Sequence, residues 1–441
     1  MGSLLFLLFA EILIFCFSYI VGFRDIFSPS VIMCIVFMIS TMFALLNINQ
    51  WDYLNTGYSM QAAEIISIGL LSFSLGELVF RVCNKTMYKR NYLKKNNLSI
   101  NSITVSNRIL IVFIFFNIVI SLLYYREISK IVGGQGLEAF RIYRNYGIDK
   151  LAGKEGESIN FFINQLTNVM VASGYIFLYV FINNIVYHNK NIINNIFLLL
   201  NIMLSTLPSI MSAGRTQILM YSSAALIYYY ILWNQKYYWK KNLSAKFIKI
   251  GSIFLFIAVP AFYFSLKILG RKTKLGLFDY ISDYIGSSIF LFGRYVEFPI
   301  RTKSFGEESL VGIKKILSIL GFGSQSTSYN LEFRYTGKAQ SNVYTFFRPL
   351  FHDFGLVGMC LLTMMIALIF SYLYWGKIKY RPASNDTNLW VIIYGFMFYW
   401  IFASSIIQYS IYYISVGAIV KIILIICLNK FVILKGEDKV K

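Results

Sequence analysis

The stretch Asn342–Trp375, NVYTFFRPLFHDFGLVGMCLLTMMIALIFSYLYW, sets a polar cluster directly against a membrane span. Its second part, Phe354–Trp375, is an apolar run of about 20 residues, long enough as a helix to cross the hydrocarbon core of a bilayer. Its first part carries Arg348, His352 and Asp353, with Pro349 among them. Arg348 and His352 are four residues apart, the spacing that shares one face of a helix. The chain therefore enters the membrane immediately behind a guanidinium, an imidazole and a carboxyl group.

Similar apolar runs recur along the sequence. They lie at approximately Leu4–Val21, Ser30–Leu46, Ala62–Phe80, Ile109–Tyr125, Ile163–Val186, Ile193–Ile210, Thr216–Trp233, Ile250–Leu269, Phe354–Trp375, Leu389–Ile407 and Tyr409–Leu428. Hydrophobic residues make up 57% of the chain and charged residues only 14%, with a mean hydropathy of +0.61. A soluble protein uses roughly 25% charged residues. Transmembrane β-strands would alternate over roughly ten residues instead. The expected fold is an all-α polytopic membrane protein with about eleven transmembrane helices, within a range of ten to twelve. Residues 1–269 would carry the first eight spans, with a long loop at 126–158. Residues 270–353 would form a large loop with short amphipathic helices, at Phe278–Tyr295 and Ile313–Leu320. Residues 354–441 would hold the last three spans and a tail. The N-terminal run has no basic segment before it and reads as a retained span rather than a cleaved leader.

Loop charge gives the expected orientation. Arg81–Arg108 carries Arg81, Lys85, Lys89, Arg90, Lys94, Lys95 and Arg108 with no acid. Asn234–Lys249 carries five lysines and no acid, and Gly376–Thr387 and the C-terminal tail are also basic. Eleven spans put all four on one side, and the positive-inside rule makes that side cytoplasmic. The large loop then faces outward. It carries eleven Lys/Arg between Arg271 and Arg348 (Arg271, Lys272, Lys274, Arg294, Arg301, Lys303, Lys314, Lys315, Arg334, Lys338 and Arg348) against six acids. A basic surface on the outer face points to an anionic ligand there.

The net charge of +21 lies largely in loops that set topology and does not indicate a nucleic-acid partner. The five cysteines form no CxxC or Cys/His cluster. With only two histidines, His188 and His352, no multi-histidine metal site is available. Walker A, DxD, HExxH and GxSxG sequences are absent, which gives no support to nucleotide hydrolysis or to a metal-bound nucleotide-sugar site. No cofactor is expected.

Several polar groups near the span ends suit an anion. Arg215, in MSAGRTQILM, opens the seventh span beside the small residues Ser212, Ala213 and Gly214. It is either a snorkelling arginine or a phosphate ligand. In GRYVEFPIR, Arg294 and Glu297 stand three apart and could pair on a helix that Pro299 limits, with Arg301 beyond. Arg334 lies among Tyr and Phe in LEFRYTGK. Arg348 offers a bidentate fork to phosphate oxygens. Asp353, His352 or Glu297 could take a hydroxyl proton, and Asp353 would equally serve as a helix N-cap. Arg141 and Arg144 stand in the earlier loop.

Three segments resemble the Wzy-type oligosaccharide repeat unit polymerases of O-antigen and capsule synthesis. They are DIFSPSVIMCIVFMIS at the second span, SAGRTQIL at the seventh, and the stretch from Asn342 with its Thr, Arg-Pro and Asp-Phe-Gly leading into a span. The hydropathy layout matches over nearly the full length. His352 falls outside the part of the last segment expected to recur. The resemblance implies a fold like the GT-C lipid-linked sugar transferases and a place in the bacterial cytoplasmic membrane with an outward-facing site. It implies undecaprenyl-diphosphate-linked oligosaccharides as substrates, and metal-independent chemistry. The expected reaction is an inverting transfer of a growing glycan from its lipid diphosphate to a sugar hydroxyl of the next lipid-linked unit. Arg215, Arg348 and Arg334, with Arg294 and Arg301, would then hold the donor pyrophosphate. Asp353, His352 or Glu297 would be the base. Arg141 and Arg144 would position the second lipid diphosphate. A chain-length regulator and a flippase are candidate partners. A glycan ligase would share the donor chemistry. A lipid-linked oligosaccharide flippase would instead place charges deep inside several spans, where Glu11 and Glu77 are the clearest acids.

Overall fold

A computed structural model describes residues 1–51, 58–84, 103, 105–151, 157, 159–189, 191–239, 276–301, 304–322, 331–337, 340–381, 384–407 and 415–433. The expected span Ile250–Leu269, the start of the last expected span, and Arg271, Lys272, Lys274, Lys303 and Lys338 lie outside the described residues. The chain divides into two compact units. The first is Met1–Lys89, Lys274–Lys377 and Trp400–Ser415; the second is Arg90–Thr273, Ile378–Tyr399 and Val416–Lys441.

Among the described residues, seven helical segments are long and apolar enough to cross a membrane. This makes the chain a multi-pass, all-α membrane protein, with a single two-residue strand pair described. The first unit begins with α1 (Gly2–Val21), α2 (Pro29–Leu46) and α3 (Met60–Cys83). Next come α10 (Leu277–Glu297), the short α11 (Val311–Ile319), and the strands β1 (Arg334–Tyr335) and β2 (Gln340–Ser341), which pair antiparallel. The unit's last long helix is α12 (Phe347–Ser371), which continues as a π-helical segment over Tyr372–Ile378.

The helix α12 starts seven residues before the apolar run, at Phe347 rather than Phe354. Pro349 is tolerated because the first turn has no intrahelical use for its missing N–H. Asp353 accordingly lies inside the helix and is not its N-cap. Gly355, with φ +64 and ψ −168, kinks the helix just beyond it. Below the kink α12 lies closely along α3. A Cβ on Gly76 would come within 2.8 Å of Ala367 Cβ and 2.9 Å of Met364 O, so the small residue sets the helix separation. Phe347 packs on Phe37 at a ring separation of 5.2 Å, which fixes the start of α12 against α2.

The deep charges of this unit have partners. Glu77 accepts hydrogen bonds from Ser30 N (2.8 Å) and Trp375 Nε1 (2.7 Å). Glu11 accepts one from Thr41 at 2.8 Å. Arg81 lies over the rings of Phe23 and Trp375 at 4.0 and 4.5 Å. Asp25 accepts from Tyr374 at 2.5 Å. An intramembrane charge is costly unless paired, and these contacts staple α1, α2, α3 and the π-helical segment together.

The second unit holds α4 (Asn107–Val132), α5 (Gly136–Leu151), α6 (Phe161–Tyr187), α7 (Ile192–Ser205), the one-turn α8 (Leu207–Met211), α9 (Thr216–Lys236) and α14 (Val416–Val432). One further helix, α13 (Asn385–Phe402), follows the π-helical segment in sequence. The expected loop at 126–158 is therefore largely helical: α4 runs about two turns past its apolar part and ends only where Gly133 turns left-handed at φ 69. Asparagine amides cross-link the second unit, as between Asn117 and Asn201 at 3.1 Å and between Asn194 and Asn107 at 2.8 Å. In an apolar bundle such amide bonds hold helices to one another.

Candidate functional site

The first turns of α12, the end of α10, the turn at Ser304–Leu310 and strand β1 assemble one polar cluster in the first unit. Arg348 is its centre, and its side chain is 0% exposed. Its Nη1 donates to Glu308 Oε2, and its Nη2 to Glu332 Oε2 at 2.8 Å. The guanidinium lies 3.8 Å from the Tyr295 ring centre and 5.2 Å from that of Tyr344. Two carboxylates and two aromatic faces thus replace water around a buried cation, which could not be left uncompensated.

His352 lies one helical turn along α12 and bridges two elements. Its Nδ1 is 2.8 Å from the Tyr295 hydroxyl, and its Nε2 is 2.7 Å from Glu307 Oε1. With Glu307 ionised, Nε2 carries the proton and donates to it, and Nδ1 accepts from Tyr295. Burial pushes the Tyr295 hydroxyl up to about 12, partly offset by Arg348, so the phenol stays a donor. Glu308 Oε1 is 3.7 Å from the same Nε2.

Asp353 faces the turn. Its carboxylate accepts from the backbone N–H of Ser309 (2.6 Å) and of Glu308 (3.2 Å), and from the Ser309 hydroxyl. These bonds pin Glu308 to the helix that bears Arg348. Gly306, at φ 61, turns the chain just before the two glutamates. Burial pushes the Glu308 carboxyl up to about 8; Arg348 opposes that rise, while Asp353 and Glu332 add to it.

The two arginines flanking the cluster are also engaged. Arg294 and Glu297 form the pair that their spacing suggests, at 3.1 Å, and α10 ends at Glu297 before Pro299. Arg334 donates to the carbonyls of Arg294 (2.6 Å) and Phe298 (2.7 Å), and to Glu332 at 3.2 Å. It thereby caps the C-terminus of α10, where cations belong. Arg301 is exposed beyond that end. Arg294, Arg334 and Arg348 pair with Glu297, Glu308 and Glu332, while Glu307 and Asp353 bond to His352 and to the turn, so in this cluster the basic groups are matched by acids and do not form a bare cationic surface.

Arg215, Arg141 and Arg144 belong to the second unit. Arg215 is buried and immediately precedes α9, after Ala213 in the left-handed region at φ 50. Arg141 makes an exposed i,i+3 pair with Glu138 at 3.2 Å. Arg144 is half-buried on the same helix.

Sequence alone brought Arg348, His352 and Asp353 together because they share one helix. It did not reach Glu307, Glu308, Glu332, Tyr295, Tyr344 or Ser309. The available signal was the Glu-Glu pair at 307–308 and the Glu332-x-Arg334 spacing in a loop otherwise read for its positive charge. Among the described residues no group of three or more His, Cys, Asp or Glu is arranged to hold a metal ion. Comparison with family models, curated proteins and solved structures gives no match.

Proposed function

We propose that this chain is a polymerase of lipid-linked oligosaccharide repeat units, a glycosyltransferase acting on the outer face of a bacterial cytoplasmic membrane. It moves a growing glycan from undecaprenyl diphosphate to the terminal sugar hydroxyl of a newly arrived lipid-linked unit. With α9, α13, α14 and the apolar run at 250–269 counted beside the seven spans, the chain crosses the membrane about eleven times, in a GT-C-like arrangement. The observation that carries this proposal is the contact between Arg348 and Glu308 at the head of α12. It joins a cation suited to a departing diphosphate to a carboxyl group raised to about 8.

The chemistry follows from those two groups. The acceptor oxygen attacks C1 of the donor sugar and inverts it. The C1–O bond to the diphosphate breaks, and its electron pair leaves with the phosphate. Arg348 faces the negative charge that grows there; one preorganised donor of this kind typically contributes a factor of about 10² to 10³ in rate. A carboxylate takes the acceptor proton, most effectively with a pKa near the working pH. Glu308 fits this better than Asp353, whose oxygens hold the turn, or Glu297, which pairs with Arg294. His352 and Asp353 then position Glu307 and Glu308. Arg294 and Arg301 are the flanking cations of the first unit. Arg215, Arg141 and Arg144 are the second unit's candidates for a lipid phosphate.

Purified protein in vesicles, given a lipid-diphosphate repeat unit and nothing else, should yield a ladder of longer lipid-linked glycans. Substrate of unchanged length would refute the proposal. Transfer of a finished glycan to a different added acceptor, without lengthening, would identify a ligase instead.

A further inference from the structure

Both outer nitrogens of Arg348 are already engaged by carboxylates. One is bonded to Glu308 and the other to Glu332. We propose that these carboxylates hold the two places on Arg348 that the phosphates of a lipid diphosphate take, and that arrival of the diphosphate releases Glu308 to accept the acceptor's proton. This rests on the polymerase reading and adds an order of events to it.

Three observations support the exchange. The first is the match of chemistry and geometry. Carboxylate and phosphoryl oxygens make the same charge-assisted bond to a guanidinium. Two carboxylates from separate segments, the 304–310 turn and the stretch just before β1, engage separate nitrogens of one planar fork. Two linked phosphates present the same pair of acceptors. The Tyr295 and Tyr344 rings hold the fork in place whichever anion it binds.

The second observation is that a buried guanidinium must keep an anionic partner at all times. With its side chain 0% exposed, Arg348 has its charge met between substrates by the two glutamates. They lie at its rim, with side chains 13% and 20% exposed, so displacement can proceed from the solvent side.

The third is that each displaced carboxylate has other contacts ready. Glu332 already receives bonds from Arg334 (3.2 Å) and the Tyr344 hydroxyl (3.0 Å). Glu308 has its second oxygen 3.7 Å from His352 Nε2. Its backbone stays fixed by Asp353, so only the side chain turns.

The consequence is a base that is quenched by Arg348 until the donor is bound. As the new C1–O bond forms, Glu308 receives the hydroxyl proton. As the old C1–O bond breaks, its electron pair goes to the diphosphate on Arg348. A site holding only an acceptor has its base occupied.

The test is calorimetric binding of sugar-free undecaprenyl diphosphate to the detergent-solubilised full chain, with undecaprenyl monophosphate as control. Glu308→Gln and Glu332→Gln remove the competing charge and keep the shape. Each should bind the diphosphate about tenfold tighter than wild type, with a smaller gain for the monophosphate. Arg348→Lys should lose the diphosphate preference. Glu308→Ala, checked for an unchanged melting temperature, separates charge from shape. Unchanged or weaker diphosphate affinity in both Gln variants, or no binding by any form, would overturn the exchange. A wild-type protein that shows the affinity pattern and makes no ladder removes the polymerase reading while supporting the exchange.

Discussion

At the scale of single residues, Arg348 and Glu308 behave as one unit. Replacing Arg348 by Ala removes the central cation between Glu308 and Glu332, and breaking such a buried pair costs about 3–5 kcal/mol. The expected outcome is a clear loss of melting temperature together with loss of chain elongation. Arg348→Lys keeps the charge and loses the fork, so it should retain most of the stability while elongation falls by about 10² or more. Glu308 makes a separate prediction from its carboxyl raised to about 8. The folded protein holds that proton more tightly than the unfolded chain does. Its contribution to stability is therefore complete below about pH 4 and is lost as pH rises through 8. Glu308→Gln should remove that decline from a melting-temperature profile between pH 5 and 9; a profile identical to wild type would contradict the assignment. The groups facing Glu308 are Arg348, Asp353, Glu332 and His352, and of these Arg348 opposes the shift while Asp353 and Glu332 reinforce it. Only part of this site was legible from the sequence. Three residues on one helix declare themselves by their spacing, whereas a buried arginine does not announce which distant glutamates will neutralise it.

At the scale of elements, α12 carries the account. Its apolar run was evident from composition, and its early start was not, because Pro349 reads as a break when it is in fact compatible with a first turn. The kink at Gly355 lies two residues after Asp353, between the polar head of the helix and its apolar part. Its φ of 64 and ψ of −168 fall in a region that essentially only glycine adopts. No atom lies within 4 Å of a Cβ built there, so Gly355→Ala tests the backbone alone. It should destabilise by about 1–3 kcal/mol, read as a lower melting temperature. If the kink aligns the cluster, elongation should fall further than stability accounts for. A variant as stable and active as wild type would show that the kink is incidental. The amphipathic helices expected at Phe278–Tyr295 and Ile313–Leu320 are present as α10 and α11, since their apolar periodicity is strong. The helix α5 does not stand out in the sequence, because charged residues interrupt its apolar ones and leave no long apolar run.

At the scale of the whole molecule, the membrane class was written in the composition, and the number of spans less so. Among the described residues, seven helical segments meet a strict length and apolarity requirement. The helix α9 is rich in Tyr and Ser, α13 opens on Asn-Asp-Thr-Asn, and α14 has 17 residues, so each falls short of it. A run of about 20 apolar residues marks a span clearly, whereas polar helices packed within a bundle blur the signal. The proposed orientation can be checked with Lys315→Cys in a cysteine-free chain, since Lys315 is exposed on α11. A membrane-impermeant maleimide added to intact cells with a permeabilised outer barrier should label it. Labelling only after the cytoplasmic membrane is opened would reverse the topology. The central claim, glycan transfer from a lipid diphosphate at Arg348, is tested most directly by counting. In vesicles holding the purified protein and a lipid-diphosphate repeat unit, free lipid diphosphate and new glycosidic bonds are measured together for wild type and Arg348→Lys. The account predicts one lipid diphosphate released per bond in wild type, and loss of both in a variant that still melts cooperatively. Bonds formed without that release, or a variant that elongates at the wild-type rate, would contradict it.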